Sequence, residues 1–160
     1  MAAYRGAMGR SPRWLDEREH AAWRGFLAMY TQLTAQLAKD LKRDAGLSGA
    51  DYSVLVGVSE APDGRIRANE LGDELQWEKS RLSRQISRME KRGLVVRDTC
   101  PTDARGSFVV LTDLGRRTIE QAAPLHVEQV RRRFVDALTR GQLDDLAAIS
   151  RAVLARLDDD

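Results

Sequence analysis

Residues Trp77 to Gly93, WEKSRLSRQISRMEKRG, constrain the fold more than any other stretch of the chain. Leu82, Ile86 and Met89 recur at steps of four and three, so they share one side of a helix. Arg81, Arg84, Gln85, Arg88 and Arg92 fall on the other side, with Ser80 and Lys91 at its flank. The apolar stripe demands a packing partner. The opposite side is long, rich in donors and carries no acid between Lys79 and Met89. A helix laid in the DNA major groove needs such a side: arginine forks for guanine and phosphate, glutamine for adenine, hydroxyls for phosphate oxygens. A solvated basic face with no partner has the same pattern, so the flanking segments must decide.

Ahead of this helix, Ala68 to Leu75, ANELGDEL, reads as a short helix with Leu71 and Leu75 inward and Asn69 as its cap. A turn of two or three residues separates the two. Short helix, tight turn and donor-lined helix make a helix-turn-helix arrangement. Glu70, Asp73 and Glu74 suit the first helix to a supporting role rather than to base reading. Behind it, Leu94–Arg97 and Phe108–Thr112 have strand patterns, and Thr99–Gly106, TCPTDARG, is a tip rich in turn formers. A hairpin directly after a recognition helix is a wing. Arg65-Ile66-Arg67 reads as a short extended edge piece after the turn Ala61-Pro62-Asp63-Gly64.

Long helical patterns bracket this region. Trp23, Phe26, Leu27, Tyr30, Leu33, Leu37 and Leu41 form one stripe within Trp14–Ala45. Gly46 suits a helix C-cap, and Ser48 with Asp51 resembles a capping box that opens a helix over Gly49–Glu60. That helix presents Tyr52, Leu55, Val56 and Val58. Thr112 caps a helix reaching about Leu138, with a kink or break expected at Pro124 and the stripe running from Ile119 through Val127 and Val130 to Leu138. Thr139-Arg140-Gly141 is a second break, and Leu143, Leu146, Ile149, Val153, Leu154 and Leu157 line the last helix. The first and the last two helices have apolar stripes too long for a small winged domain to cover alone. Either a second subunit covers them or they pack on each other within one chain.

Net charge is only +2, so global charge does not announce a nucleic-acid binder. Asp144-Asp145 and the terminal Asp158-Asp159-Asp160 mask a more basic interior. Cys100 is the only cysteine, so no intrachain disulfide forms and a reducing cytoplasm is the expected compartment. Neither a signal peptide nor a transmembrane-length apolar run is present in the 160 residues, so no membrane partner is expected. There is no phosphate-cradling glycine loop, no HExxH, no G-x-S-x-G and no nucleophile–base pair, which argues against an enzyme; no catalytic residue and no cofactor are expected. His20 and His126 lie far apart without a cysteine cluster, so no metal site is expected.

The order helix, helix, short helix, basic helix, hairpin, long helix, helix resembles the MarR family of winged-helix transcription regulators. The residues that carry the resemblance are ELGDEL, WEKSRLSRQISRMEKRGLVVR and DARGSFVVLTDLGR. In the last segment Asp103, Arg105, Leu111, Thr112 and Gly115 occupy the places of the family's Asp-x-Arg wing, Leu-Thr and following glycine. The resemblance spans roughly residues 14–157. It implies a mostly α fold with a small β-hairpin wing: a winged helix-turn-helix core with long N- and C-terminal dimerisation helices. Residues 1–13 would be a flexible N-terminal arm, 14–48 and 113–160 the helical dimerisation region, and 49–112 the DNA-binding domain.

The resemblance further implies a homodimeric repressor on double-stranded DNA. Two recognition helices would enter successive major grooves of a pseudo-palindromic operator. Ser80, Arg81, Arg84, Gln85 and Arg88 form the expected contact set, with Arg84 and Gln85 the leading base readers. Lys79, Lys91 and Arg97 would add non-specific phosphate attraction. Arg105 would enter the adjacent minor groove, oriented by an ion pair to Asp103. Trp23, Phe26, Tyr30 and Tyr52 are the candidates to line a cleft for a small aromatic or amphipathic effector that releases the DNA. Two alternatives stand beside this reading. One is a winged helix that docks on protein, which requires apolar residues exposed on the recognition face. The other is a redox-responsive regulator acting through Cys100, with Arg97 and Arg105 lowering its pKa.

Overall fold

The computed structural model describes residues 12–99 and 107–158. The chain divides into two compact units that meet between Gln32 and Leu33. Among the described residues of the first unit, the first helix, α1 (Glu17–Ala45), begins. Its start lies three residues later than the apolar pattern suggests. Asp16 accepts the Glu19 N–H at 2.8 Å, and Glu19 accepts the Asp16 N–H at 2.9 Å. This reciprocal cap satisfies orphan donors of the first turn and leaves Trp14 and Leu15 outside the helix, exposed. Along α1, Trp23, Phe26 and Tyr30 stack in a row, with ring centroids 5.9 and 6.3 Å apart.

The second unit holds the rest. α1 ends at Gly46, whose φ of +65° is the left-handed conformation that favours glycine after a helix. α2 (Gly49–Glu60) opens with the expected capping box: Ser48 Oγ accepts the Asp51 N–H at 3.1 Å, and Asp51 Oδ2 accepts the Ser48 N–H at 2.9 Å. Then come β1 (Arg65–Arg67), α3 (Ala68–Leu75), α4 (Lys79–Lys91), β2 (Val95–Thr99), β3 (Ser107–Leu111), α5 (Asp113–Arg133) and α6 (Arg140–Asp158). Arg67, not Asn69, takes the cap position of α3; the Glu70 carboxylate accepts its N–H at 3.4 Å.

The strands form one antiparallel sheet in the order β1-β3-β2. The extended edge piece therefore belongs to the wing sheet, with Ile66 opposite Val109. The core sits where α2 packs on α3, α4, α5 and β3. Val54, Leu55 and Val58 of α2 meet Leu71, Leu82, Ile86, Met89, Val95, Val109 and Ile119 there.

The break expected at Pro124 in α5 does not occur. The helix runs through Pro124 without a break and stops only at Phe134, before a turn of 3-10 helix over Val135–Ala137. Pro124 lies on the exposed side, while Ile119 and Ala122 hold the helix to the core. One missing N–H does not outweigh that packing. Val127 on the apolar stripe of α5 is exposed in the single chain, and so are Ile149, Val153, Leu154 and Leu157 of α6. Thr139 and Gln142 cap each other at the start of α6. No helix of the described residues is long and apolar enough to cross a membrane.

Candidate nucleic-acid interface

The helix-turn-helix is closed by a residue with a left-handed backbone. Gln76, φ 52°, ends α3; its N–H donates to Asp73 O at 3.1 Å, and the Trp77 N–H donates to Gly72 O at 2.9 Å. Gln76 Nε2 also donates to Asp73 O, at 2.7 Å, which helps to hold a conformation unusual for a residue with a Cβ. The chain then enters α4 at Lys79, two residues after Trp77.

On α4 the two predicted sides separate as the spacing requires. Leu82, Ile86 and Met89 are buried, and Lys79, Ser80, Arg81, Arg84 and Arg88 are exposed. The Arg81 guanidinium lies over the Trp77 ring at 4.1 Å, a cation–π contact that lifts it along the exposed side. Among the described residues, the Arg84 side chain has no ion-pair partner. The exposed side therefore presents charged donors and no apolar patch, which disfavours docking on protein.

Gln85 departs from the expectation. Its side chain is 2% exposed, turned inward, with Nε2 donating to Asp51 Oδ1 at 2.7 Å. A glutamine so placed cannot reach a base edge, whereas Arg84 stands exposed on the outer side. The helical spacing places Gln85 on the polar side with the arginines; the buried carboxylate of Asp51 draws it in instead. Arg92 is drawn the same way, its Nη1 donating to Asp51 Oδ2 at 2.8 Å. Burial pushes the Asp51 carboxyl up, yet the Ser48 N–H and the Arg92 guanidinium outweigh it and hold the group below its ordinary value.

Arg97 is also not free for phosphate. It donates to Ser83 O at 2.9 Å and to Ser87 Oγ at 3.1 Å, and it pairs with Glu90, whose carboxylate also takes the Arg97 N–H at 3.0 Å. These bonds fasten β2 to α4 and so fix the wing relative to that helix. At the outer face of the wing root, Arg65 and Arg67 lie over the Phe108 ring, and Arg65 pairs with Asp98 at 3.1 Å. Between α3, α4 and the wing root lies a cavity of about 570 Å³, lined by Asn69, Asp73, Trp77, Ser83 and Arg97 among others.

Asp103, Arg105 and Cys100 lie outside the described residues. The aromatic candidates divide between the two units. Trp23, Phe26 and Tyr30 form the stacked row on α1, and Tyr52 on α2 packs against His126 of α5 with centroids 4.4 Å apart. His126 Nδ1 is buried without a hydrogen-bond partner among the described residues, and burial lowers the pKa of that ring. Among the described residues no group of three or more His, Cys, Asp or Glu is placed to hold a metal.

Sequence reasoning took Asp51 only as a cap and did not find Arg97 or Trp77 as supports. Trp77 lies in the turn just ahead of α4, four residues before Arg81, and a helical spacing rule does not apply to it. Nothing local marks Asp51, because its partners Gln85 and Arg92 lie 34 and 41 residues away.

Residues 45–106 match the family model described as the MarR family. The fold is similar to the crystal structure of AbsC, a MarR family transcriptional regulator from Streptomyces coelicolor, at 42% identity and a TM-score of 0.87, covering 93% of this chain and 100% of that one. It is similar to Sco3205, a MarR family transcriptional regulator from the same organism solved in complex with DNA, at 40% identity and a TM-score of 0.85, covering 89% and 90% of the two chains. Transcriptional regulator HosA of Escherichia coli O111:H- is 31% identical over 97 residues, 61% of this chain and 68% of that relative.

Proposed function

The chain belongs to the MarR family of DNA-binding transcription regulators, and from that premise we propose that it acts as a homodimeric repressor that reads a pseudo-palindromic operator and is released by a small aromatic or amphipathic effector. The observation that carries this reading is the division of α4. Ser80, Arg81, Arg84 and Arg88 stand exposed on a helix whose opposite stripe is locked into the core. In this reading α4 enters the major groove, Arg84 contacts base edges, and Arg81 and Arg88 contact bases or phosphates. The wing carries Arg105 to the minor groove with Asp103 as its orienting partner. Residues 49–112 form the DNA-binding domain, and 14–48 with 113–160 the dimerisation region.

A second copy of the chain covers the apolar surface that a single subunit leaves open. Trp23 and Phe26 on α1, and Ile149, Val153, Leu154 and Leu157 on α6, are each half exposed or more, an arrangement costly in water for a monomer. Two-fold symmetry then spaces the recognition helices by about one helical turn of DNA, roughly 34–36 Å. The effector biases that spacing: a dimer held at another separation fits the operator less well.

The test is fluorescence anisotropy against the DNA flanking the protein's own gene, with a random duplex as control, across a range of salt concentrations. Tight binding confined to the flanking DNA with a steep salt slope is the expected result. A folded protein that binds neither duplex at low salt overturns the reading.

A further inference from the structure

Gln85 joins two groups of opposite chemistry. Its Nε2 donates to Asp51 Oδ1 at 2.7 Å, and its Oε1 accepts from Nη2 of Arg88. The orientation of the amide follows from its partners. An ionised carboxylate only accepts and a guanidinium only donates, so a single placement of the NH₂ and the oxygen satisfies both. Asp51 is itself fixed. Its Oδ2 takes the Ser48 N–H at 2.9 Å and Arg92 Nη1 at 2.8 Å, and its side chain is 7% exposed. A buried carboxylate on α2 thus sets a buried amide on α4, and that amide holds an exposed guanidinium one turn further along.

We propose that Gln85 is a positioning residue for DNA recognition: it holds the Arg88 guanidinium in one orientation for the groove instead of reading a base. The inference rests on α4 being the DNA-reading helix. An arginine that arrives already oriented loses less rotamer freedom on binding, and a two-pronged contact to guanine tolerates little misalignment. The benefit falls on the specific complex. The phosphate attraction of Arg88 is a charge effect that does not need Gln85.

A double-mutant cycle on the full chain tests this. Gln85→Met fills the same space without hydrogen bonding; it is combined with Arg88→Ala, and binding is measured to a duplex selected by the wild-type protein from a randomised pool and to an unrelated duplex. Gln85→Met should weaken binding to the selected duplex about tenfold, leave the unrelated duplex and the salt slope nearly unchanged, and cost nothing further once Arg88 is alanine. An equal cost in the Arg88→Ala background overturns the positioning role, as does an equal loss on both duplexes that follows Tm. Arginine side-chain NMR relaxation of the free wild-type protein supplies a readout that needs no variant. Arg88 should be more ordered than Arg84, and equal mobility overturns the proposal. A wild-type protein that enriches no duplex overturns the DNA reading itself, whereas an enriched duplex with additive losses overturns only the role of Gln85.

Discussion

A Cβ added to Gly115 would lie 2.0 Å from the carbonyl oxygen of Leu94. The same turn of α5 is tied to the end of α4 by Thr112. Its Oγ1 accepts the Gly115 N–H at 2.9 Å and donates to Gly93 O at 2.6 Å. The start of α5 therefore presses directly on the backbone that links α4 to the wing. Gly115 occupies the place of the glycine that follows Leu-Thr in the family pattern, and close backbone approach is the physical reason for a glycine there.

Gly115→Ala should destabilise the fold by about 3 kcal/mol, because the obstacle is backbone rather than a mobile side chain. Thermal unfolding by circular dichroism measures it. An unchanged Tm would mean that α5 and the wing root part easily, contrary to the close contact.

Stability should fall on acidification through Asp51. Its folded-state carboxyl lies below the ordinary value of 3.8, so its contribution is complete above that value and is lost as pH falls through the folded-state pKa. Asp51→Asn should flatten this acid limb and cost on the order of 1–3 kcal/mol at neutral pH, since an NH₂ then faces the donors of Gln85 or Arg92. Urea unfolding from pH 7 down to about 2 checks both effects. An acid limb unchanged in the variant would place the titration elsewhere.

His126 contributes at higher pH. Burial lowers its pKa from 6.5, so the unfolded chain takes up a proton first as pH falls through that value. Stability that rests on the neutral ring is full above pH 6.5 and declines below it. His126→Phe should remove the dependence in that interval. NMR titration of the imidazole in the folded protein gives the pKa directly; a value at or above 6.5 contradicts the burial effect.

Arg84→Ala should weaken operator binding by about 1–3 kcal/mol and relax the preference at one base pair in each half-site. Lys79→Ala should instead weaken all sequences alike and reduce the salt slope by about one. Anisotropy with single-base variants of the selected duplex separates the two. Equal loss on all sequences for Arg84→Ala would make it a phosphate contact.

Leu154→Glu should convert a dimer to monomer or unfold the chain, as it puts a charge in a proposed dimer face, whereas Arg151→Glu, also exposed but charged already, should leave assembly intact. Sedimentation over a concentration series reads the mass. Monomer for the wild-type protein would remove the reason for the apolar side of α6.

Much of the architecture was legible in the chain because local rules decide it. The bounds of α3 follow from periodicity and the Ser48–Asp51 box from capping, which act within a few residues. The Thr112 cap and the two wing strands are local in the same sense. The membership of β1 in the wing sheet was not legible, because its partner Val109 lies 43 residues on and nothing near Ile66 names it. The uninterrupted course of α5 through Pro124 was not legible either, since the core packing of Ile119 and Ala122 ahead of it outweighs a local breaker.

The sequence by itself determined that one helix would carry an apolar stripe opposite a row of arginines, since a 3.6-residue period separates the two sides wherever the helix is placed. Only the tertiary structure decided which polar side chains of that helix face outward. Gln85, Arg92 and Arg97 all have the reach and chemistry to meet DNA, but each finds an acceptor brought close by the fold: Asp51 for the first two, Glu90 and two serines for the third. A long polar side chain goes where its hydrogen bonds are satisfied, and a carboxylate held in place by α2 competes for it before any DNA arrives.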